Sequence, residues 1–251
     1  MTTVTNGPRI LAFDLETAPN LVYTFSLYKP IIGHEQIVEP SRIICFSAQW
    51  VGEKKVMFMS EHHDGYEAML RGLYELLNEA DIVLTFNGAT FDGPWSTGEF
   101  MAQGWTPPSP FKHIDLYQHV KRLTRFPSRK LDYVSYRILG EKKVKHEGFT
   151  LWRDCLAGED KAWAKMKRYA IQDTKLLVKL FNEIRGWIKI PHPVSHDGVS
   201  CHNCGGTDLQ RRGYATTLTG VYQRYQCQTP KCGKWIRGTL RKNVSEFRNI
   251  A

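Results

Sequence analysis

A chain of 251 residues is long enough for one full hydrophobic core and a small second module. No apolar run approaches the ~20 residues of a membrane helix. The first residues lack the basic start and apolar run of a secretory signal, so a cytoplasmic protein with no membrane partner is expected. The net charge of +9 is uneven. Residues 1–184 hold 23 Lys/Arg against 22 Asp/Glu, and residues 185–251 hold 11 against 3. The last quarter therefore points to a polyanionic partner.

The first predicted element is a strand over 9–16. Asp14 and Glu16 share one face with Ile10 and Ala12, while Leu11, Phe13 and Leu15 fill the other. Strands over 42–51 and 54–60 follow, then an amphipathic helix over 65–79. A fourth strand, 81–86, leads into Asn87-Gly-Ala-Thr-Phe-Asp92. Asn-Gly favours a turn with positive φ. Asp92 taken alone would also suit the cap of a helix near 94–103. A fifth strand at about 111–115 carries Asp115, which either supports a site or caps the next helix. Helices follow at 116–123, 130–139 and 160–187. In the last, Met166, Ala170, Asp173, Leu177, Leu180 and Ile184 recur at three- and four-residue steps. They form one inward stripe with Asp173 as its charged member. Tyr169 lies one turn before Asp173 and, taken alone, would also suit a packing residue. Residues 112–145 hold 10 Lys/Arg against 3 Asp/Glu, including Lys121, Arg122, Arg125, Arg129, Lys130, Lys142, Lys143 and Lys145. This cluster is a candidate phosphate-binding surface. Three meandering strands, then strands alternating with helices, predict an α/β fold with a mixed five-stranded sheet flanked by helices.

Residues 188–200, with Pro191, Pro193, Ser195 and Gly198, read as a linker. Cys201-x2-Cys204 and Cys227-x4-Cys232 follow, separated by 22 residues. Four thiolates at these spacings can close a tetrahedron around one structural Zn²⁺, a zinc-ribbon pattern. Gly205 and Gly233 permit the knuckle turns. Disulfides or buried thiols are the alternatives. Cys45 and Cys155 stand apart, as small buried side chains do. Arg211, Arg212, Arg224, Lys231, Lys234, Arg237, Arg241 and Lys242 stud the ribbon, interleaved with Tyr214, Tyr222, Tyr225 and Trp235. Basic groups beside aromatics suit single-stranded nucleic acid; a protein-docking ribbon is the rival. The expected organisation is a catalytic domain over 1–187, a linker over 188–200, and the ribbon with a basic tail over 201–251.

Asp14, Glu16, Asp92 and Asp173 each sit where an apolar residue would cost less. An ionised carboxylate at a buried position is costly unless paired or bound to metal. Phosphodiester hydrolysis develops charge on the attacking and leaving oxygens, and two hard cations roughly 4 Å apart stabilise both. Mg²⁺ and Mn²⁺ take oxygen ligands, hence Asp and Glu.

Asp-Leu-Glu-Thr at 14–17, Asn-Gly-Ala-Thr-Phe-Asp at 87–92 and Tyr-x-x-x-Asp at 169–173 together resemble the three motifs of the DEDD exonuclease superfamily. Tyr169 matches the tyrosine subclass; position 168, where the histidine subclass would carry His, is Arg168. The resemblance covers residues 9–184. It implies a ribonuclease H-like fold and 3′–5′ exonuclease activity with two Mg²⁺ or Mn²⁺ held by Asp14, Glu16, Asp92 and Asp173. Tyr169 would orient the attacking water, and Thr17, Asn87 and Phe91 would line the substrate groove. The whole chain resembles stand-alone bacteriophage exonucleases with a C-terminal zinc ribbon. That implies DNA, single strands or 3′ ends, as substrate and an infected bacterial cytoplasm as the setting. A polymerase or a replication or recombination protein is a candidate partner. Arg211, Arg212, Arg224, Trp235 and Arg237 are the expected nucleic-acid contacts on the ribbon. A ribonuclease, a structure-selective endonuclease and a non-catalytic binding or assembly protein are the alternatives.

Overall fold

The computed structural model describes residues 8–141, 148–190, 199–218 and 220–244. Lys142, Lys143 and Lys145 and most of the expected linker, 191–198, lie outside the described residues. The chain forms two compact units, Arg9–Lys179 and a second that takes in the residues from Leu180 onward. Among the described residues no helix is long and apolar enough to cross a membrane.

The first unit is built on β1 (Ile10–Thr17), β4 (Ile43–Trp50), β5 (Val56–Ser60), β6 (Ile82–Thr85) and β7 (Lys112–Asp115). Their order is β5-β4-β1-β6-β7. β1 is antiparallel to β4 and β4 to β5, whereas β1–β6 and β6–β7 are parallel. The mixed five-stranded sheet is the one expected. Every residue of β4 and β6 is buried, as in strands covered on both faces.

Two layers of helix cover the sheet. Leu11, Phe13 and Leu15 pack with Phe46 and Ala48 against Met69, Leu70, Leu73 and Leu77 of α2 (Tyr66–Glu79), which follows the one-turn α1 (Glu61–Asp64). Phe100 of α3 (Asp92–Ala102) joins this core. On the opposite face, Ile44 and Cys45 pack with Leu151 and Cys155 of α6 (Phe149–Leu156) and with Trp163 and Met166 of α7 (Asp160–Ile184). Both isolated cysteines are thus small apolar core residues. α4 (Leu116–Leu123) and α5 (Leu131–Leu139) complete the unit. The stripe Met166, Ala170, Asp173, Leu177, Leu180, Ile184 is buried along its length.

Some elements differ from expectation. α3 begins at Asp92, two residues before the expected start, with Phe91 at its N-cap and no side-chain cap. Asp92 therefore does not cap this helix. α7 ends at Ile184, not 187. α6 carries only Leu151 and Cys155 as buried positions, too few to read as a periodic stripe. The pair β2 (Leu21–Val22) and β3 (Ile37–Glu39) is too short for alternation to register.

The second unit contains β8 (Leu209–Thr217), β9 (Gly220–Cys227) and β10 (Trp235–Val244), an antiparallel sheet in the order β10-β9-β8.

Candidate functional site

β1 presents Asp14 opposite Ser47 and Glu16 opposite Cys45 in the β1–β4 register. A register shift between Glu16 and Thr17 leaves Ile44 as the extra residue on β4, a bulge of the kind that re-aims side chains at strand ends. Ser47 fastens α7 to this face. Its hydroxyl donates to the Ala170 carbonyl oxygen at 2.8 Å and lies 2.5 Å from Oγ1 of Thr174. These two contacts flank Asp173 and follow Tyr169, so both are held over β1. The Tyr169 phenol is driven well above its ordinary range, first by burial, then by the charges of Glu16, Asp173 and Asp14, and by its hydrogen bond with Asp173. Three carboxylates from two elements thus act on one phenol. Asp173 itself is 2% exposed, so it sits within the fold rather than on its surface.

Asp92 arrives from the other side. Its Oδ1 accepts the backbone N–H of Leu15 at 3.0 Å, between Asp14 and Glu16 in the chain. Asp92 is 2% exposed. Burial pushes its pKa up to about 7, opposed by backbone N–H donors from Leu15 and from Asp92 itself and reinforced by the Asp115 charge. Gly88 makes room for it. A Cβ there would fall 2.5 Å from the Thr85 side chain and 2.7 Å from Oδ2 of Asp92. Gly88→Ala is expected to destabilise the fold by about 1–3 kcal/mol through this overpacking. Chemical denaturation measures the effect; a wild-type midpoint would contradict the account.

Asp115 caps the next helix, one of its two expected roles, and also holds the loop at Asn87. Its carboxylate accepts the Tyr117 N–H at 3.0 Å, capping α4, and the N–H groups of Asn87 at 2.8 Å and Ala89 at 3.3 Å. It thereby fixes the loop that leads to Asp92. The positive φ of the Asn-Gly turn falls on Asn87, at 72°, which asparagine tolerates better than most residues. Gly88 is required instead by the close approach of Asp92. Nε2 of His113 lies 2.8 Å from Oγ1 of Thr85 at the end of β6.

Asp14, Asn87 and Tyr169 line a cavity of about 970 Å³. Its other walls include Phe86, Tyr117, Phe126, Arg129 and Lys130. Arg129 and Lys130 come from the basic stretch noted in the sequence. The three aromatics were not singled out there; their only signal was a position flanking Asn87, Asp115 and the basic cluster. Thr17 and Phe91 do not line this cavity. Phe91 is exposed and packs edge-on against Trp95.

In the second unit the sulfurs of Cys201, Cys204, Cys227 and Cys232 all lie within 4.8 Å of one another. The Cys201–Cys232 and Cys204–Cys227 separations are 3.8 and 3.6 Å, so no disulfide forms. Gly205 and Gly233 have the expected positive φ, 75° and 55°. Backbone N–H groups of Asn203 and Gly206 donate to the sulfurs of Cys201 and Cys204 at 3.4 and 3.3 Å, the outer support that thiolate ligands receive. The set is compatible with a tetrahedral cation of the zinc-ribbon kind. Among the described residues no other group is so tight.

The expected ribbon contacts divide between two faces. Trp235, Arg224 and Arg237 share one, whereas Arg211 pairs with Tyr225 on the other. The Arg212 carbonyl oxygen accepts from Nε of Arg224 at 3.0 Å.

A family model of the RNase_H superfamily, RNase_H_2, matches residues 37–185. The match begins after β1, so Asp14 and Glu16 stand outside it. No curated protein matches the chain. Among solved structures, the family B DNA polymerase from the hyperthermophilic archaeon Pyrobaculum calidifontis is similar in fold. The TM-score is 0.54 at 15% identity, over 70% of this chain and 24% of the polymerase chain. The chain thus spans about a quarter of that polymerase's length.

Proposed function

This chain belongs to the RNase H superfamily, and we propose that it is a metal-dependent 3′–5′ exonuclease acting on single-stranded DNA. The carrying observation is the convergence of carboxylates from three elements: Asp92 on the peptide between Asp14 and Glu16, and Asp173 with Tyr169 above them. Like charges this close repel one another, and buried ones pay for desolvation as well. Divalent cations remove both penalties, so the donor set fits them. Bound there, two Mg²⁺ or Mn²⁺ would lower the pKa of a water and offset charge on the phosphoryl oxygens.

The chain's own groups divide the remaining work. Asp14, Glu16, Asp92 and Asp173 hold the cations. Tyr169, driven above its ordinary range, keeps its proton and orients the attacking water through its hydroxyl. Arg129 and Lys130 meet phosphates of the incoming strand, while Phe86, Tyr117 and Phe126 offer ring surfaces to unpaired bases. DNA is the proposed substrate because the motifs resemble DNA exonucleases and because one similar solved structure is, by name, a DNA polymerase. In the ribbon, Zn²⁺ on the four cysteines is the proposed structural ion.

EDTA should stop hydrolysis and added Mg²⁺ should restore it; a rate indifferent to EDTA contradicts the reading. Tyr169→Phe should lower turnover by roughly tenfold to a thousandfold, the scale of one positioning or acid–base group. Mg²⁺ affinity should hold at the wild-type value. An unchanged turnover number would leave Tyr169 as a packing residue beside Trp152.

A further inference from the structure

Residues 209–244 contain eight Lys or Arg and no Asp or Glu. Two of the eight are occupied by local anchoring. Lys231 pairs with Glu183 at 2.6 Å, and Lys234 donates to the carbonyl oxygens of Gly186 and Ile188 at 3.4 and 2.8 Å. The others are not spread evenly.

In an antiparallel sheet, registered partners point to the same side and alternate residues share a face. Gln226, Arg224 and Tyr222 of β9 therefore share one face, and their β10 partners are Trp235, Arg237 and Arg241. The side chains interlock on that face. The Arg224 guanidinium lies 4.6 Å from the Trp235 ring centre, and that of Arg237 lies 4.6 Å from the Tyr222 ring centre. Nε of Arg241 donates to the Tyr222 hydroxyl at 3.0 Å. Trp235 remains 47% exposed. A guanidinium held against a ring is fixed in place, and with Nε of Arg224 and Arg241 engaged by the Arg212 carbonyl and the Tyr222 hydroxyl, their terminal nitrogens are the groups left for a phosphate. None of the ion pairs formed among the described residues involves Arg224, Arg237 or Arg241. The opposite face carries Tyr225 with its partners Arg211 and Ile236. It has no comparable run of stacked arginines among the described residues.

We propose that the β9–β10 face formed by Trp235, Arg224, Arg237, Tyr222 and Arg241 is a track for single-stranded nucleic acid. Arginine edges would hold the backbone and Trp235 would stack on a base. From Gln226 to Tyr222 the track runs about 14 Å, at ~3.4 Å per residue. Charge selects the class of partner. Three arginines on one face, beside a hollow whose one carboxylate among the described residues, Glu183, is already paired with Lys231, complement a polyanion, and an exposed indole among them suits the open face of an unpaired base. A duplex conceals its bases and offers the indole nothing. The choice of nucleic acid rests on the nuclease reading, but the site is separate from the acidic cluster and its test is separate too.

The full-length zinc-loaded protein is titrated in Ca²⁺ with a fluorescein-labelled oligothymidylate at several salt concentrations. Arg224→Ala with Arg237→Ala should weaken binding at least about tenfold. It should also flatten the log–log salt slope by roughly 1.4, at ~0.7 per lost phosphate contact. Trp235→Ala should weaken binding by about five- to a hundredfold, the equivalent of one base stack, with little change in slope. Arg224→Lys with Arg237→Lys keeps the slope and loses part of the affinity. Arg211→Ala, on the opposite face, should change affinity less than twofold. Zinc content per chain, equal in all variants, shows that the ribbon has stayed folded. Equal losses from Arg211→Ala and the Arg224/Arg237 pair, or no loss from the pair, overturn the proposal. Equal affinity for a duplex of the same length overturns it as well. If the wild-type protein binds by this face yet hydrolyses nothing in Mg²⁺, the track stands and the nuclease reading fails.

Discussion

Asp14→Ala and Asp173→Ala, singly or together, are expected to abolish hydrolysis while leaving the fold intact. Each removes a cation ligand from a site whose ions supply several kcal/mol of transition-state stabilisation. A loss of about 4 kcal/mol is roughly a thousandfold in rate. Folding should not suffer, because removing one of several like charges relieves repulsion in the metal-free protein. Asp92 adds a pH-dependent contribution of its own. Burial pushes its folded-state pKa up to about 7, above the ordinary value near 4. The folded state therefore binds the extra proton between about pH 4 and 7, and metal-free stability falls as pH rises through that window. Asp14→Ala removes a neighbouring charge of the cluster, so in EDTA at pH 8 its melting temperature should equal or exceed that of the wild type. Single-turnover rates and thermal melts check both halves. A double variant retaining more than about a tenth of the wild-type rate would remove these residues from the active site.

Cys201→Ser with Cys204→Ser should unfold the ribbon and spare the first unit. Among the described residues the ribbon's buried cluster is Cys201, Cys227 and Cys232, with Cys204 and Leu209 packed against it, and Tyr222 is the one further buried apolar side chain of its sheet apart from the cysteines. So few apolar side chains leave the metal as the main source of folding free energy, about 10–16 kcal/mol for structural zinc in small domains. Hydrolysis of a short single strand at saturating concentration should persist, because every residue proposed to hold the catalytic cations precedes Leu180. Elemental analysis should give one zinc per chain for the wild type and none for the variant. Loss of hydrolysis at saturating substrate would tie the ribbon to the chemistry itself.

The parts that sequence made legible are those where periodicity and chemistry disagree. Asp173 interrupts a buried stripe that is otherwise apolar, and Asp14 and Glu16 interrupt a strand. Burying charge is costly, and that argument holds for Asp173; Asp14 and Glu16 are half-buried rather than buried, so what marks them is their break in the apolar pattern of β1. The four cysteines were legible through spacing alone. What could not be read depends on contacts distant in sequence. The hydrogen bond from Leu15 to Asp92 joins residues 77 apart, and Ser47 meets Ala170 and Thr174 across more than 120 positions. Asp115 has a carboxylate shared between a helix cap and the loop at Asn87, a combination visible only once β6 and β7 are paired. On the ribbon, composition identified the arginines, but a register shift between Arg211 and Tyr214 hides from the sequence which of them share a face with Trp235.

The most direct test of the central claim follows the ends of the substrate. Metal-stripped protein is given Mg²⁺ or Mn²⁺ and then single-stranded DNA or RNA of one sequence, labelled at the 5′ end in one set and at the 3′ end in the other. The account predicts that 5′-labelled DNA shortens stepwise into a ladder, while 3′-labelled DNA releases its label at once as a mononucleotide, with nothing in EDTA. Internal fragments from both labels, cleavage confined to RNA, or an intact substrate in every metal would contradict it.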